Sequence, residues 1–314
     1  MFRPTAQQLE NIRLFVKKFF HGRVETYDVQ RLFFNPPPGK KKFGYFTQKR
    51  PLLQEDVIDH FYKSPIHKKT HIQGSLSIKG VFKDNIIKWF MVDLDKYDVK
   101  RKCVEKITPL LEKDGFDWML EQGGDMLPSG DWSRGKLWVF GEAKLETATE
   151  YVRQLFYRIG EPIFAGADEL LLGKKREFDE IFPINKPDNK GRVFLAPHLK
   201  RLYDHETFQR MEGIPVRYPC FYQGEESDDP DIVLPWVSSM KPFTEKRLKE
   251  LIDHTLIKAP EKAKGDFSYV LEEDKQAFRY QSLNLPLPTN NVLPRLRPVF
   301  RNCQAINKVL EGIV

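Results

Sequence analysis

Asp93 and Asp95 stand one residue apart at the end of an apolar run, Ile86-Ile87-Lys88-Trp89-Phe90-Met91-Val92. Its branched and aromatic residues predict a buried strand. Residues i and i+2 of a strand share a face, so the two carboxylates are expected to project together. Carboxylates at the mouth of a buried strand are costly unless a cation compensates them. As a pair they offer hard oxygen ligands to Mg²⁺ or Mn²⁺, and a divalent ion held this way is the core of phosphoryl-transfer chemistry. The alternative is a turn that ends the strand, the commoner meaning of an isolated Asp-x-Asp, so the neighbouring elements must decide.

Those neighbours have a definite order. Val99, Cys103, Val104, Ile107, Leu110 and Leu111 recur at helical spacing with a basic outer face, and Pro109 predicts a kink or break near the helix end. A short strand is expected at Trp118-Met119-Leu120-Glu121, then a glycine-rich, basic loop from Gly123 to Lys136, then a strand at Leu137-Trp138-Val139-Phe140. Such a loop can present backbone N–H groups and cations to a triphosphate. It lacks Walker spacing, and a solvated hairpin would have much the same sequence.

In this order the chain resembles the catalytic core of the archaeo-eukaryotic primase superfamily, most closely the primase-polymerase branch of mobile elements and CRISPR-linked operons. That family places Asp-x-Asp or Asp-x-Glu at a strand end, then a helix, then a glycine-rich loop with Ser-x-His, and later a hydrophobic residue followed by a carboxylate. Asp93 and Asp95 match the first element, Ser133 to Phe140 occupies the second, and Tyr203-Asp204 fits the third. Lys136 stands where the histidine is expected, replacing a group that titrates near neutrality with a permanent cation. Phe20 to Tyr27, Leu52 to Phe61 and Arg192 to Arg201 agree with the same ordering, so the likeness spans roughly residues 15 to 255.

The resemblance implies an α+β primase core: an RNA-recognition-motif-like mixed sheet over 86–255, with an N-terminal α/β subdomain over 1–85. It implies template-directed nucleotidyl transfer, a DNA primase-polymerase extending or initiating chains. Asp93, Asp95 and Asp204 would hold two divalent ions, Mg²⁺ or Mn²⁺, roughly 3.5–4 Å apart. Asp229 and Asp231 compete in sequence for the third place. Contacts to the incoming dNTP or NTP would fall to Ser133, Arg134, Lys136, Arg192, His198 and Lys200. A metal-dependent nuclease would use the same carboxylates without needing a triphosphate cradle. A nucleotide-sugar glycosyltransferase also uses Asp-x-Asp but gives no reason for repeated basic clusters.

Over 314 residues the formal net charge is +7, and the excess is local. It gathers at Lys40-Lys41-Lys42, Lys49-Arg50, His67-Lys68-Lys69, Lys174-Lys175-Arg176 and His198 to Arg201. Interleaved with Phe43, Tyr45, Phe46 and Tyr203, such clusters suit a surface that follows a phosphate backbone and stacks bases. Arg23, Tyr27, Lys40, Lys41, Lys42, Lys68 and Lys69 are the expected contacts to a single-stranded or primed DNA template. Cys103, Cys220 and Cys303 show no zinc spacing, and Cys103 falls on an apolar helix face. No run reaches membrane-spanning length. The expectation is a monomeric cytoplasmic protein of prokaryotic, phage or mobile-element origin. Helices are further predicted near 6–20, 55–62 and 144–159, a linker over 256–291, and the start of a C-terminal helical segment over 292–314.

Overall fold

The computed structural model describes residues 2–36, 39 and 41–252, so the expected linker and C-terminal helical segment lie outside the described residues. The chain runs α1 (Ala6–Phe19), β1 (Tyr27–Phe33), β2 (Phe43–Gln48), α2 (Gln54–Ile58), β3 (Ile66–His67) and β4 (His71–Lys79). It continues with β5 (Ile86–Leu94), α3 (Tyr97–Lys102), α4 (Thr108–Asp114), β6 (Met119–Met126), β7 (Trp132–Lys144), α5 (Leu145–Tyr157) and α6 (Ala167–Leu172). The remainder is β8 (Ile181–Phe182), β9 (Lys190–Arg192), α7 (Leu199–Leu202), β10 (Cys220–Tyr222), β11 (Glu225–Ser227), α8 (Pro230–Ser239), β12 (Phe243–Thr244) and α9 (Glu245–Leu251).

Two sheets form. The first has the order β2-β1-β4, with β3 and β9 sharing the far edge of β4. The second has the order β11-β10-β6-β7-β5-β8, with β12 joining β7 in parallel. Within it, β5, a helical segment, β6, β7, α5 and β8 give the spatial order β8-β5-β7-β6, the split βαβ plan. The fold is therefore α+β with largely antiparallel sheets. Residues before Lys79 build the first sheet and those after Ile86 the second, except that β9 returns to the first. No helix among the described residues is long and apolar enough to cross a membrane.

Strand alternation decides which sheet face does what. Phe90, Val92, Leu94, Leu120, Leu137 and Val139 point to one face and bury α3, α4 and α5 through Val99, Cys103, Ile107, Leu111, Tyr151 and Leu155. Trp89, Met91, Met119, Trp138 and Phe140 point to the other, against α1 and the first sheet through Phe15, Phe19, Leu76 and Ile78. Asp93 and Glu121 follow in phase on this second face, where the apolar core gives way to an open cleft.

Two local expectations change. The interruption near Pro109 falls before it: Cys103–Ile107 is a π-helical turn, and the proline opens α4, where its missing N–H costs least. The glycine-rich loop is mostly a long hairpin, because β6 runs to Met126 and β7 starts at Trp132. The register of the hairpin shifts at a bulge beside Gly124, whose φ of +79° and contact with Ser133 leave no room for a Cβ.

The segment after β9 locks the two sheets together. Phe194 is fully buried, with ring centroids 5.6 Å from Phe15, 5.7 Å from Phe61 and 5.6 Å from Trp138. Removing that ring empties a site shared by α1, the turn after α2, and β7. Phe194→Ala should therefore cost about 3–5 kcal/mol of stability, read as a lower urea midpoint at unchanged slope. A loss below about 1 kcal/mol would show that this ring does not join the sheets.

Candidate active site

A cleft of about 860 Å³ opens between the two sheets. Its floor is the second sheet, crossed by a continuous row of polar residues. Lys136 on β7 lies directly opposite Asp93 on β5 and opposite Glu121 on β6. Glu121 in turn faces Cys220 on β10, and the Asp93 N–H donates to the Glu180 carbonyl oxygen at 2.9 Å. Residues paired across antiparallel strands share a face, so Asp93, Lys136 and Glu121 stand abreast. The opposite wall comes from the first sheet, where Arg192 pairs with Ser77 and Ser77 with Asp28.

Of the residues expected from sequence, the structure brings Asp93, Asp95, Arg134, Lys136, Arg192, His198 and Lys200 to this cleft. Asp95 follows immediately after β5 and lies 3.8 Å from Arg134. Lys136 Nζ donates to Asp93 Oδ2, so the cation that compensates the strand-end carboxylate is the cross-strand lysine. Burial and then the neighbouring Asp93 raise the Asp95 pKa, against the pull of Lys136 and Arg134. Glu180 also lines the cleft, and burial followed by Asp93 raises its pKa as well.

The back of the cleft is Glu121, which is fully buried. Its Oε1 accepts from the Leu195 N–H at 3.1 Å and from Arg192 at 3.5 Å, and Arg192 also donates to the Ala196 carbonyl at 3.0 Å. Burial raises the Glu121 pKa, with Arg192 and Lys136 opposing the shift. Leu195 has φ of +54°, a left-handed backbone that a branched-chain residue adopts only when its surroundings impose it.

Several expected site residues lie elsewhere or act otherwise. Asp204 does not line the cleft; its Oδ1 accepts from the Glu206 N–H at 2.9 Å, the Thr207 N–H at 2.6 Å and the Thr207 hydroxyl at 2.9 Å. That carboxylate closes a turn after α7. Asp229 caps α8 and Asp231 accepts from Tyr62 at 2.8 Å, so neither replaces it. Ser133 is also absent from the cleft lining, and its hydroxyl accepts from the Asp125 N–H at 2.8 Å to hold the hairpin bulge. His198 is present but cannot serve as a cation at neutral pH: burial, then Arg192 and Arg201, lower its pKa to about 3.

The expected nucleic-acid contacts divide too. Tyr27 is fully buried in β1 and has no face left for a base. Lys40 lies outside the described residues, whereas Lys41, Lys68 and Lys69 are exposed. Lys42 sits 4.5 Å over the Phe208 ring, and Arg23 pairs with Glu25 at 3.1 Å beside a separate small pocket. In the Lys174 cluster, Lys174 itself pairs with Glu161 and Glu177. Glu121 and Glu180 escaped sequence reading. Glu121 had one available signal, a charge in phase with Met119 inside a predicted strand; Glu180 lies outside regular structure and had none.

The donor set suits a hard divalent ion. Two carboxylates share one strand end, and Glu180 lines the same cleft, where burial and then Asp93 raise its pKa. Among the described residues no group of three His, Cys, Asp or Glu side chains is gathered to hold a metal. Mg²⁺ typically takes one or two carboxylates and completes its shell with water and substrate phosphate, which this arrangement allows. No known family model matches this chain, and no curated protein does.

His198 offers a check on the electrostatics. Its folded pKa lies below the ordinary value of 6.5, so the unfolded chain takes up the proton first. The stability this neutral imidazole contributes is fully present above about pH 6.5 and declines as pH falls toward 3. The stability gap between the wild type and His198→Gln should stay constant from pH 8 to 7 and move in the variant's favour below pH 6. A gap independent of pH would mean that the imidazole keeps its ordinary pKa in the fold, and a gap moving against the variant at low pH would mean that it is held protonated.

Proposed function

We propose that this cleft carries out template-directed nucleotidyl transfer and that the chain is a primase-polymerase of the archaeo-eukaryotic type. The observation that carries the reading is a juxtaposition: an acidic pair at the end of a central strand, with Arg134, Lys136, Arg192 and Lys200 around the same cleft. A nucleoside triphosphate presents the complementary pattern, an anionic tail that arrives with a divalent ion. The split βαβ order of the second sheet and the strand-end position of Asp93 agree with the family's core plan.

In this reading Asp93 and Asp95 hold the divalent ion, which when bound neutralises phosphate charge and lowers the pKa of an attacking hydroxyl. Arg192, fixed from behind by Glu121, presents a rigid guanidinium fork suited to phosphate oxygens. Lys136 and Lys200 supply mobile point charges from β7 and α7. Tyr45 on β2 lines the cleft and is 42% exposed, an aromatic face available for stacking on a base. No protein nucleophile is required, because positioning and charge stabilisation supply the rate. The exposed Lys41, Lys68 and Lys69 remain as contacts to the DNA backbone, and substrates are dNTPs or NTPs on a single-stranded or primed template.

The test is incubation with a primed template, labelled dNTPs and Mn²⁺ or Mg²⁺. Wild-type protein should lengthen the primer, and Asp93→Asn or Asp95→Asn should lower the rate at least about a hundredfold, the order expected when a charge contact made in the transition state is lost. Single-stranded DNA affinity should hardly change in either variant, and Asp204→Ala should keep its activity. Primer shortening would assign a nuclease instead, and an untouched primer would refute nucleotidyl transfer.

A further inference from the structure

Four of the cleft's cations already hold carboxylate partners. Lys136 bonds to Asp93, Lys190 to Asp28, Arg192 to Glu121 and Arg201 to Asp125. A cation arriving alone at Asp93 therefore meets a carboxylate that already has a partner, and a polyphosphate arriving alone meets Lys136 and Arg192 already engaged. Within this set the Lys136–Asp93 pair is the one at the proposed metal position. Its side chains are only 14% and 18% exposed, so solvent screens the attraction less than at Asp95 and Arg134, which are 64% and 58% exposed. The same ammonium also acts favourably on Asp95, Glu121 and Glu180, making it the shared counter-ion of the acidic row. Lysine is a point charge on a flexible stem and can leave such a position, whereas Arg192 is held by two acceptors, Glu121 and the Ala196 carbonyl.

We propose that Lys136 is a resident counter-ion that competes with the divalent cation for Asp93, so that the cleft takes up metal tightly only together with a polyphosphate that accepts the lysine in exchange. This rests on reading the cleft as a nucleotide site. The exchange conserves charge: the ammonium moves from carboxylate to phosphate, and the metal replaces it at Asp93. Lys136 thereby becomes a specificity-determining residue that favours a metal–polyphosphate complex over free metal or free phosphate.

The experiment titrates three probes into the intact protein by calorimetry: Mn²⁺ alone, inorganic triphosphate alone, and the preformed one-to-one complex. The wild type should bind the complex at least about tenfold more tightly than either component, a modest share of what one unit charge a few ångströms away can exert. Lys136→Met and Lys136→Gln, which remove the charge with and without loss of the polar tip, should each bind Mn²⁺ alone at least about tenfold more tightly than wild type. In both variants the advantage of the complex over Mn²⁺ alone should shrink at least about tenfold, the remainder coming from Arg134, Arg192 and Lys200. Mn²⁺ affinity unchanged in both variants, or wild-type protein binding Mn²⁺ alone as tightly as the complex, would overturn the proposal. These outcomes are independent of primer extension. Tighter Mn²⁺ binding without any extension would keep the counter-ion exchange and sink the polymerase reading, while extension with unchanged Mn²⁺ affinity would do the reverse.

Discussion

Glu121 and Arg192 meet where the two sheets of this protein approach one another, and the cleft depends on that contact. Each residue belongs to a cross-strand row: Glu121 to the line through Lys136 and Asp93, Arg192 to the line through Ser77 and Asp28. Burying a carboxylate completely is expensive, and a single 3.5 Å ion pair does not offset it. The Leu195 N–H supplies the additional hydrogen bond, and its left-handed backbone is the form this demand takes in the chain. Removing Glu121 would leave Arg192 buried beside nothing but a carbonyl, so the pair acts less as a source of stability than as a device fixing where β9 sits against β6.

From that fixed point outward the cleft grades from rigid to mobile. Arg192 and Glu121 at the back are held by several partners. Asp93 and Lys136 in the middle hold each other, and Asp95 and Arg134 at the rim are mostly open to solvent. A site that must admit a large charged substrate and exclude water from its reacting end benefits from this gradient. In the proposed reaction the back would orient, the middle would exchange partners, and the rim would screen approaching charge.

What was legible in the sequence follows from how local each signal is. The strand ending at Asp93 and the helices near 6–19 and 145–157 carry strong periodicity, and the structure has them within a residue or two. Both Asp93 and Asp95 line the cleft, although Asp95 falls one residue past the end of β5. The cross-strand partner of Asp93 was not legible, because register depends on hairpin length, and a glycine-rich stretch read as a loop over 123–136 hid nine residues of strand, 123–126 and 132–136. Tyr203-Asp204 misled for a related reason: a hydrophobic residue followed by a carboxylate also describes a helix end running into a turn. His198 was expected to grip phosphate, but a sequence does not show the burial that, with Arg192 and Arg201, keeps its imidazole neutral. The third acidic neighbour of the site, Glu180, comes from an irregular segment with no pattern to betray it.

A crystal structure of the protein with Mn²⁺ and a non-hydrolysable nucleoside triphosphate tests the central claim most directly. An anomalous Mn²⁺ peak is expected between the Asp93 and Asp95 carboxylates, at about 2.0–2.6 Å from their oxygens. The triphosphate should lie between the two sheets, with Lys136 turned away from Asp93 toward its oxygens. Mn²⁺ bound away from Asp93 and Asp95, or a nucleotide outside this cleft with Lys136 still on Asp93, would contradict it.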